Sequence, residues 1–282
     1  VTYSYGAGTT SFSETHQYLD DNPTGTSPNN YTINGSITDD DSGTDSASTT
    51  VTVNNVNPVT SIDSITDETG EAVGTGVRVV LMNTQIDLLG SFTDVGTRDT
   101  HTATINWGDG SSRPLRIKTD SMSAAHVYSQ PGEYTALLEV TDDDTGVGPA
   151  TASITVVDAA GAIEELLNQL EVLAEEPGVD PLAVKAILEA LVELDGSNGG
   201  RAQNGALDML AKGNVNAALV KIEQAIQALE TAEAADGSLD LSSMKSFLAL
   251  SAKSAALTAI MEAEVAASTP DEVTMVENAY AL

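Results

Sequence analysis

The sequence predicts a multidomain β + α protein, with tandem β modules through residue 158 and an all-α helical bundle over 159–282. Three observations predict it. A β-type segment is written twice in the first half. Near residue 159 the hydrophobic period changes from two to about three and a half. Capping residues then divide the second half into helices of ordinary length.

The duplicated segment occupies residues 16–57 and 126–158. The first copy carries His16-x-Tyr18, Tyr31, Asp39-Asp40-Asp41-Ser42-Gly43 and Thr49-Thr50-Val51-Thr52-Val53. The second carries His126-x-Tyr128, Tyr134, Asp142-Asp143-Asp144-Thr145-Gly146 and Ala152-Ser153-Ile154-Thr155-Val156. The second tyrosine stands eight residues before the first aspartate in both copies, and that aspartate fourteen before the last strand valine. Only the stretch between the His and the second Tyr differs, and it is longer in the first copy. Equal spacing on both sides of one elastic loop is the mark of tandem β modules. Alternating runs at 50–53, 77–81, 102–107, 134–140 and 153–157 read as strands. The Asn- and Pro-containing stretch 54–58 reads as the joint between modules.

Beyond 159, Ala, Leu and Glu dominate. Ile163, Leu166, Leu167, Leu170 and Leu173 form one stripe, and Val184, Ile187, Leu188 and Leu191 a second. Leu219, Ile222, Ile226 and Leu229 form a third, and Met244, Phe247, Leu248, Leu257, Ile260 and Met261 a fourth. Asp180-Pro181 is an N-cap followed by proline at the first helical position, and Thr269-Pro270-Asp271-Glu272 a capping box. Five or six short-linked amphipathic helices would pack as a small antiparallel bundle.

Before the second copy lies Trp107-Gly108-Asp109-Gly110. His126-x-Tyr128, Pro131-Gly132-Glu133-Tyr134 and a closing Val140-Thr141-Asp142 follow in order. With these motifs, residues 58–158 resemble a polycystic kidney disease (PKD) repeat. The resemblance implies an immunoglobulin-like β-sandwich, used in extracellular surface proteins as a spacer or binding module. Residues 1–57 have the second half of the repeat without Trp-Gly-Asp-Gly, and read as a partial PKD-like module. Residues 206–229 are similar to the FIMAH-type helical module, which is often attached to PKD-like repeats in large bacterial surface proteins. Its pattern here is a leucine helix, the Gly213-Asn214 break and an Ala-Leu helix.

Acidic residues number 42 against 11 basic, for a formal charge of −31, and every Lys and Arg lies after residue 77. Such a surface repels nucleic acid and anionic lipid and attracts calcium, cationic partners or a saline medium. There is no cysteine, so no disulfide staples the sandwich. The chain starts at Val1 without a charged-then-apolar leader and reads as a mature or trimmed product. No apolar run approaches the ~18 residues that a spanning helix needs.

Asp109 reads as a turn-closing side chain and Trp107 as a core residue. A catalytic carboxylate would need a partner at a readable spacing. His16 and His126 recur at one repeat position and read as packing residues. No second His or carboxylate is readable near either, and His101 stands alone. The candidate metal ligands are the two triplets, Asp39, Asp40, Asp41 and Asp142, Asp143, Asp144. Adjacent carboxylates repel unless they are solvated or bridged by a hard cation, so calcium is the candidate cofactor. Their spacing does not match a twelve-residue EF-hand loop; the competing reading is a solvated turn. Asn30 and Asn34 open two glycosylation sequons, read as lying on an inserted loop. Nucleophile-elbow, phosphate-loop, dinucleotide and zinc-helix motifs are absent from the sequence, so no enzyme is expected.

These readings lead to an extracellular or cell-surface structural protein, a subunit of a filament, matrix fibre or surface layer. Half a sandwich leaves an apolar face and a bare strand edge to be covered. Either upstream chain or another copy of the protein would cover it, and Phe12, Ile33, Ile37, Val51 and Val53 are expected on the covered face. The expected partners are copies of itself and surface glycans, with no nucleic acid and no membrane span. The alternative is a fragment of a multi-PKD adhesin, or the spacer region of a secreted carbohydrate-active enzyme. A receptor for peptide or carbohydrate built on the helices is a third class.

Overall fold

The computed structural model describes residues 2–19, 25–68, 70, 78–198, 201–202 and 204–266. A hairpin of β1 (Asn29–Thr38) and β2 (Thr44–Val53) comes first. The sandwich follows: β3 (Val59–Asp67), β4 (Arg78–Leu81), β5 (Gln85–Thr93), β6 (His101–Asn106), β7 (Ser112–Leu115), β8 (Ser121–Val127), β9 (Gly132–Asp142) and β10 (Val147–Val157). One sheet has the order β4-β10-β9-β6-β7, and the other β3-β5-β8. The β4–β10 pair is parallel and every other pair in the sandwich antiparallel. This is the expected immunoglobulin-like arrangement, with helices after it.

Alternation builds the core. Ala136, Leu138 and Val140 of β9 face inward with Ala103 and Ile105 of β6, against Ile86, Leu88 and Phe92 of β5. The strands β3, β5, β7 and β8 were not among those read from the sequence. In β3 the core residues Ile62 and Ile65 are three apart, which breaks a period of two. A bulge between Ile62 and Ser64 absorbs the extra residue, so that both isoleucines meet the core.

The helices are α1 (Ala159–Ala174), α2 (Pro181–Asp195), α3 (Ala206–Ala211), α4 (Val215–Ala235) and α5 (Ser242–Ala266). A two-residue pair, β11 (Ser197–Asn198) and β12 (Arg201–Ala202), lies between α2 and α3. Asp180 caps α2 by accepting from the Leu182 amide at 2.7 Å. Asn214 caps α4 after Gly213, whose φ of 69° ends the preceding turn. The capping box at 269–272 lies outside the described residues. The second stripe needs one correction, because Leu188 is exposed. Instead α2 buries Ala183, Ala186, Ile187, Ala190 and Leu194. The alanines bring it close to α4, which offers Ala218, Ala225 and Ala232. No described helix is long and apolar enough to cross a membrane.

Bundle and sandwich are joined. Leu81, Ala162 and Leu250 form a buried cluster with half-buried Val157 and Phe247 around it. The Ser254 hydroxyl donates to the Met82 carbonyl at 2.7 Å, and Asn83 Nδ2 to Thr258 Oγ1 at 2.9 Å. At the opposite end, Asn55 and Asn57 in the joint reach the β9–β10 region. Asn55 Nδ2 donates to Asp142 Oδ2 at 2.7 Å and Asn57 Nδ2 to the Val147 carbonyl at 3.2 Å.

Candidate functional site

The two aspartate triplets form the same turn. The Asp39 amide donates to the Gly43 carbonyl at 2.9 Å, and the Asp142 amide to the Gly146 carbonyl at 3.0 Å. In return each glycine amide donates to the first carboxylate, at 2.6 Å in both turns. Ser42 and Thr145 take left-handed φ values of 72° and 70°. Glycine leaves room for that carboxylate, since a Cβ would lie 2.6 Å from Asp39 Oδ2 at one site and 2.4 Å from Asp142 Oδ2 at the other. The first aspartate of each triplet therefore builds its own turn.

The turns differ in their surroundings. Asp39, Asp40 and Asp41 are all exposed. Asp142 is buried, Asp143 Oδ1 accepts the Thr100 amide at 2.9 Å, and both Asp144 oxygens are shielded from solvent without a hydrogen-bond partner. Neither triplet brings three carboxylates to one point. The first carboxylate of each triplet is held by its own glycine amide, and Asp143 is drawn to the Thr100 amide, so the three do not converge.

Tertiary structure assembles a different group. Among the described residues, Asp94, Asp99 and His101 place one ligand atom each within 4.8 Å of one another. His101 is therefore not alone, since its Nε2 lies 2.9 Å from Asp94 Oδ2. The loop between β5 and β6 folds back on itself to do this. The Gly96 amide donates to Asp94 Oδ1 at 3.0 Å, and the Asp99 amide to the Gly96 carbonyl at 3.2 Å. Phe92 packs against the imidazole with ring centres 4.6 Å apart.

His126 likewise has the carboxylate partner that the sequence did not reveal. Its Nε2 lies 2.8 Å from Asp109 Oδ2, because β8 passes beside the β6–β7 turn. Asp109 Oδ1 also accepts from the Ser111 amide at 2.9 Å and the Ser111 hydroxyl at 2.6 Å, which is the turn-closing role expected of it. Trp107 is buried, stacks on His126 at 4.7 Å, and accepts the Tyr128 hydroxyl on its carbonyl at 2.9 Å. Burial raises the Tyr128 hydroxyl above its ordinary value.

Burial pushes the Asp109 carboxyl up, but hydrogen bonds from Ser111 and His126 outweigh it and hold the group below its ordinary 3.8. A depressed folded value contributes stability that is present above 3.8 and lost as pH falls through the folded value. Asp109→Asn is therefore expected to flatten the acid limb of a melting-temperature profile below about pH 4. Unchanged acid sensitivity in that variant would remove Asp109 from the account.

The first copy repeats the aromatic geometry. His16 meets Tyr18 edge-on at 4.7 Å and 88°, as His126 meets Tyr128 at 4.6 Å and 88°. Tyr18 lies 4.4 Å from Tyr31, and Tyr128 lies 4.5 Å from Tyr134. The sequons are not on a loop. Asn30 and Asn34 stand on β1, where the register pairs them with Thr52 and Ser48. The alternation of polar and apolar residues along 30–37 makes a strand there.

Residues 70–157 match the family model described as PKD domain. Among solved structures, the chain is similar to the PKD domain of an M14-like peptidase from Thermoplasmatales archaeon SCGC AB-540-F20. The match is 19% identical and covers 36% of this chain and 97% of that one, with a TM-score of 0.29. It is also similar to the PKD1 domain of Vibrio anguillarum Epp, at 18% identity, 36% and 95% coverage and a TM-score of 0.25. No curated protein matches the chain.

Proposed function

We propose that the chain is an extracellular structural protein, a subunit of a filament, matrix fibre or surface layer assembled through the incomplete β module. The β1–β2 hairpin carries this reading. Its register puts Tyr31, Ile33 and Ile37 on one face with Ala47, Thr49, Val51 and Val53. The other face is Asn30, Thr32, Asn34, Ser36 and Thr38 with Ser46, Ser48, Thr50 and Thr52. An isolated two-stranded hairpin is marginal in water. Here Ile33 is 50% and Ile37 67% exposed and Phe12 is exposed too, while Tyr31, Val51 and Val53 are half-buried. A second copy that pairs with the free edge and packs its own apolar residues on this face would complete the module, and a head-to-tail contact of that kind propagates.

Both sequons lie on the polar face, so glycans on Asn30 and Asn34 would leave the apolar face free. Calcium at the Asp142–Asp144 turn belongs to the same reading, since a hard cation would answer the unpartnered Asp144 oxygens.

Electron microscopy and sedimentation of the intact chain, with calcium and after chelation, test the proposal. Fibres or sheets are expected from the unaltered chain, and monomers from an Ile33→Glu, Ile37→Glu double variant whose sandwich still melts normally. Higher order in calcium supports the cation. An unaltered chain that stays monomeric at high concentration would favour the spacer or adhesin reading.

A further inference from the structure

We propose that Asp94, Asp99 and His101 form a binding site for a divalent transition-metal ion of the zinc class. The ligand set is one imidazole nitrogen and two carboxylate oxygens, all within 4.8 Å of one another. That is a three-ligand set, which a water would complete in a fourth position. An imidazole nitrogen selects zinc-class ions over calcium or magnesium, which prefer all-oxygen shells.

The ligands are held before any ion arrives. Asp94 has 4% of its side chain exposed and His101 12%, so both are fixed by packing. The Gly96 amide on Asp94 Oδ1 leaves Oδ2 directed at the imidazole. Asp99 is positioned by its own amide on Gly96, and the next residue, Thr100, by Asp143. His101 lies opposite Asp142 in the β6–β9 ladder, which fixes its place on the sheet.

The electrostatics favour a cation. Among the described residues no Lys or Arg makes an ion pair with Asp94, Asp142, Asp143 or Asp144. Arg98 is the one basic residue of the loop and is exposed, whereas a divalent ion between the ligands would offset the repulsion of Asp94 and Asp99 directly. The same loop receives the N-terminal segment, since the Thr97 amide donates to the Leu19 carbonyl at 3.3 Å. The ion would thus stiffen the seat on which that segment rests.

The competing account is an Asp94–His101 hydrogen bond that never holds metal. Zinc titrated calorimetrically into the chelator-treated full chain, in millimolar calcium to occupy exposed carboxylates, separates the two. One saturable equivalent is expected, weakened about 100-fold in Asp99→Asn, which keeps the Asp94–His101 contact. Cobalt(II) offers a readout on the unaltered chain, where visible bands of a four-coordinate nitrogen-containing site are expected. Asp99→Asn folding is checked by melting temperature without metal, and His101→Gln replaces it should it unfold. No saturable zinc over the calcium background, or equal affinity in the variants, overturns the site. Loss of zinc binding would leave the assembly proposal standing, because the assembly test is read without zinc.

Discussion

Trp107→Ala is expected to lower the melting temperature by roughly 6–20 °C, from a loss of about 3–5 kcal/mol in a chain that melts as one unit. The indole is 1% exposed and lies at the end of β6, where it joins the two sheets through its neighbours. Truncation leaves a cavity bordered by His126, stacked on it at 4.7 Å, and Tyr128, edge-on at 6.4 Å. His126 then loses the ring it stacks on, and Tyr128 an edge contact. His126 would lose its stacked support beside Asp109, so the turn at 107–111 should loosen with it. Thermal unfolding followed by circular dichroism in the β region gives the number. A shift of only a few degrees would mean that Trp107 does not organise this core.

The second large effect concerns the join between sandwich and helices. Leu250→Asp is expected to cost on the order of 3 kcal/mol and to split a shared unfolding transition into two. Leu250 is 5% exposed and packs with Leu81 and Ala162, so a carboxylate there would be desolvated without a partner. The flanking polar contacts, Ser254 to Met82 and Asn83 to Thr258, depend on α5 meeting the turn that follows β4. Calorimetry of the full chain should therefore show one coupled transition in the unaltered protein and two in the variant. Two transitions in both would show that the apolar cluster does not couple the parts.

Much of this was legible in the chain because it depends on near neighbours. The spacing from Asp39 to Gly43 and from Asp142 to Gly146 encodes a turn that the chain forms with its own carboxylate, and the two copies match in hydrogen bonds and φ. The α2 cap at Asp180-Pro181 and the break at Gly213-Asn214 are local for the same reason. Trp107 could be placed in the core from its motif.

What the sequence left open is what distant segments do to one another. Whether two aspartates in a row share a cation or diverge depends on which backbone amides of other segments come within reach, as Thr100 does for Asp143. Packing of one sheet on the other joined His126 to Asp109 across 17 residues, and a folded loop joined His101 to Asp94. Leu188 looked like a core residue by its period, but α2 turned its alanines to α4 because small side chains permit the closer approach. By itself the sequence determined the β-then-α order, the turns and the caps, since these answer to hydrogen bonds within a few residues. Tertiary structure alone decided the carboxylate–imidazole groups and the exposed face of the first hairpin, because burial and charge pairing are set by residues far apart in the chain.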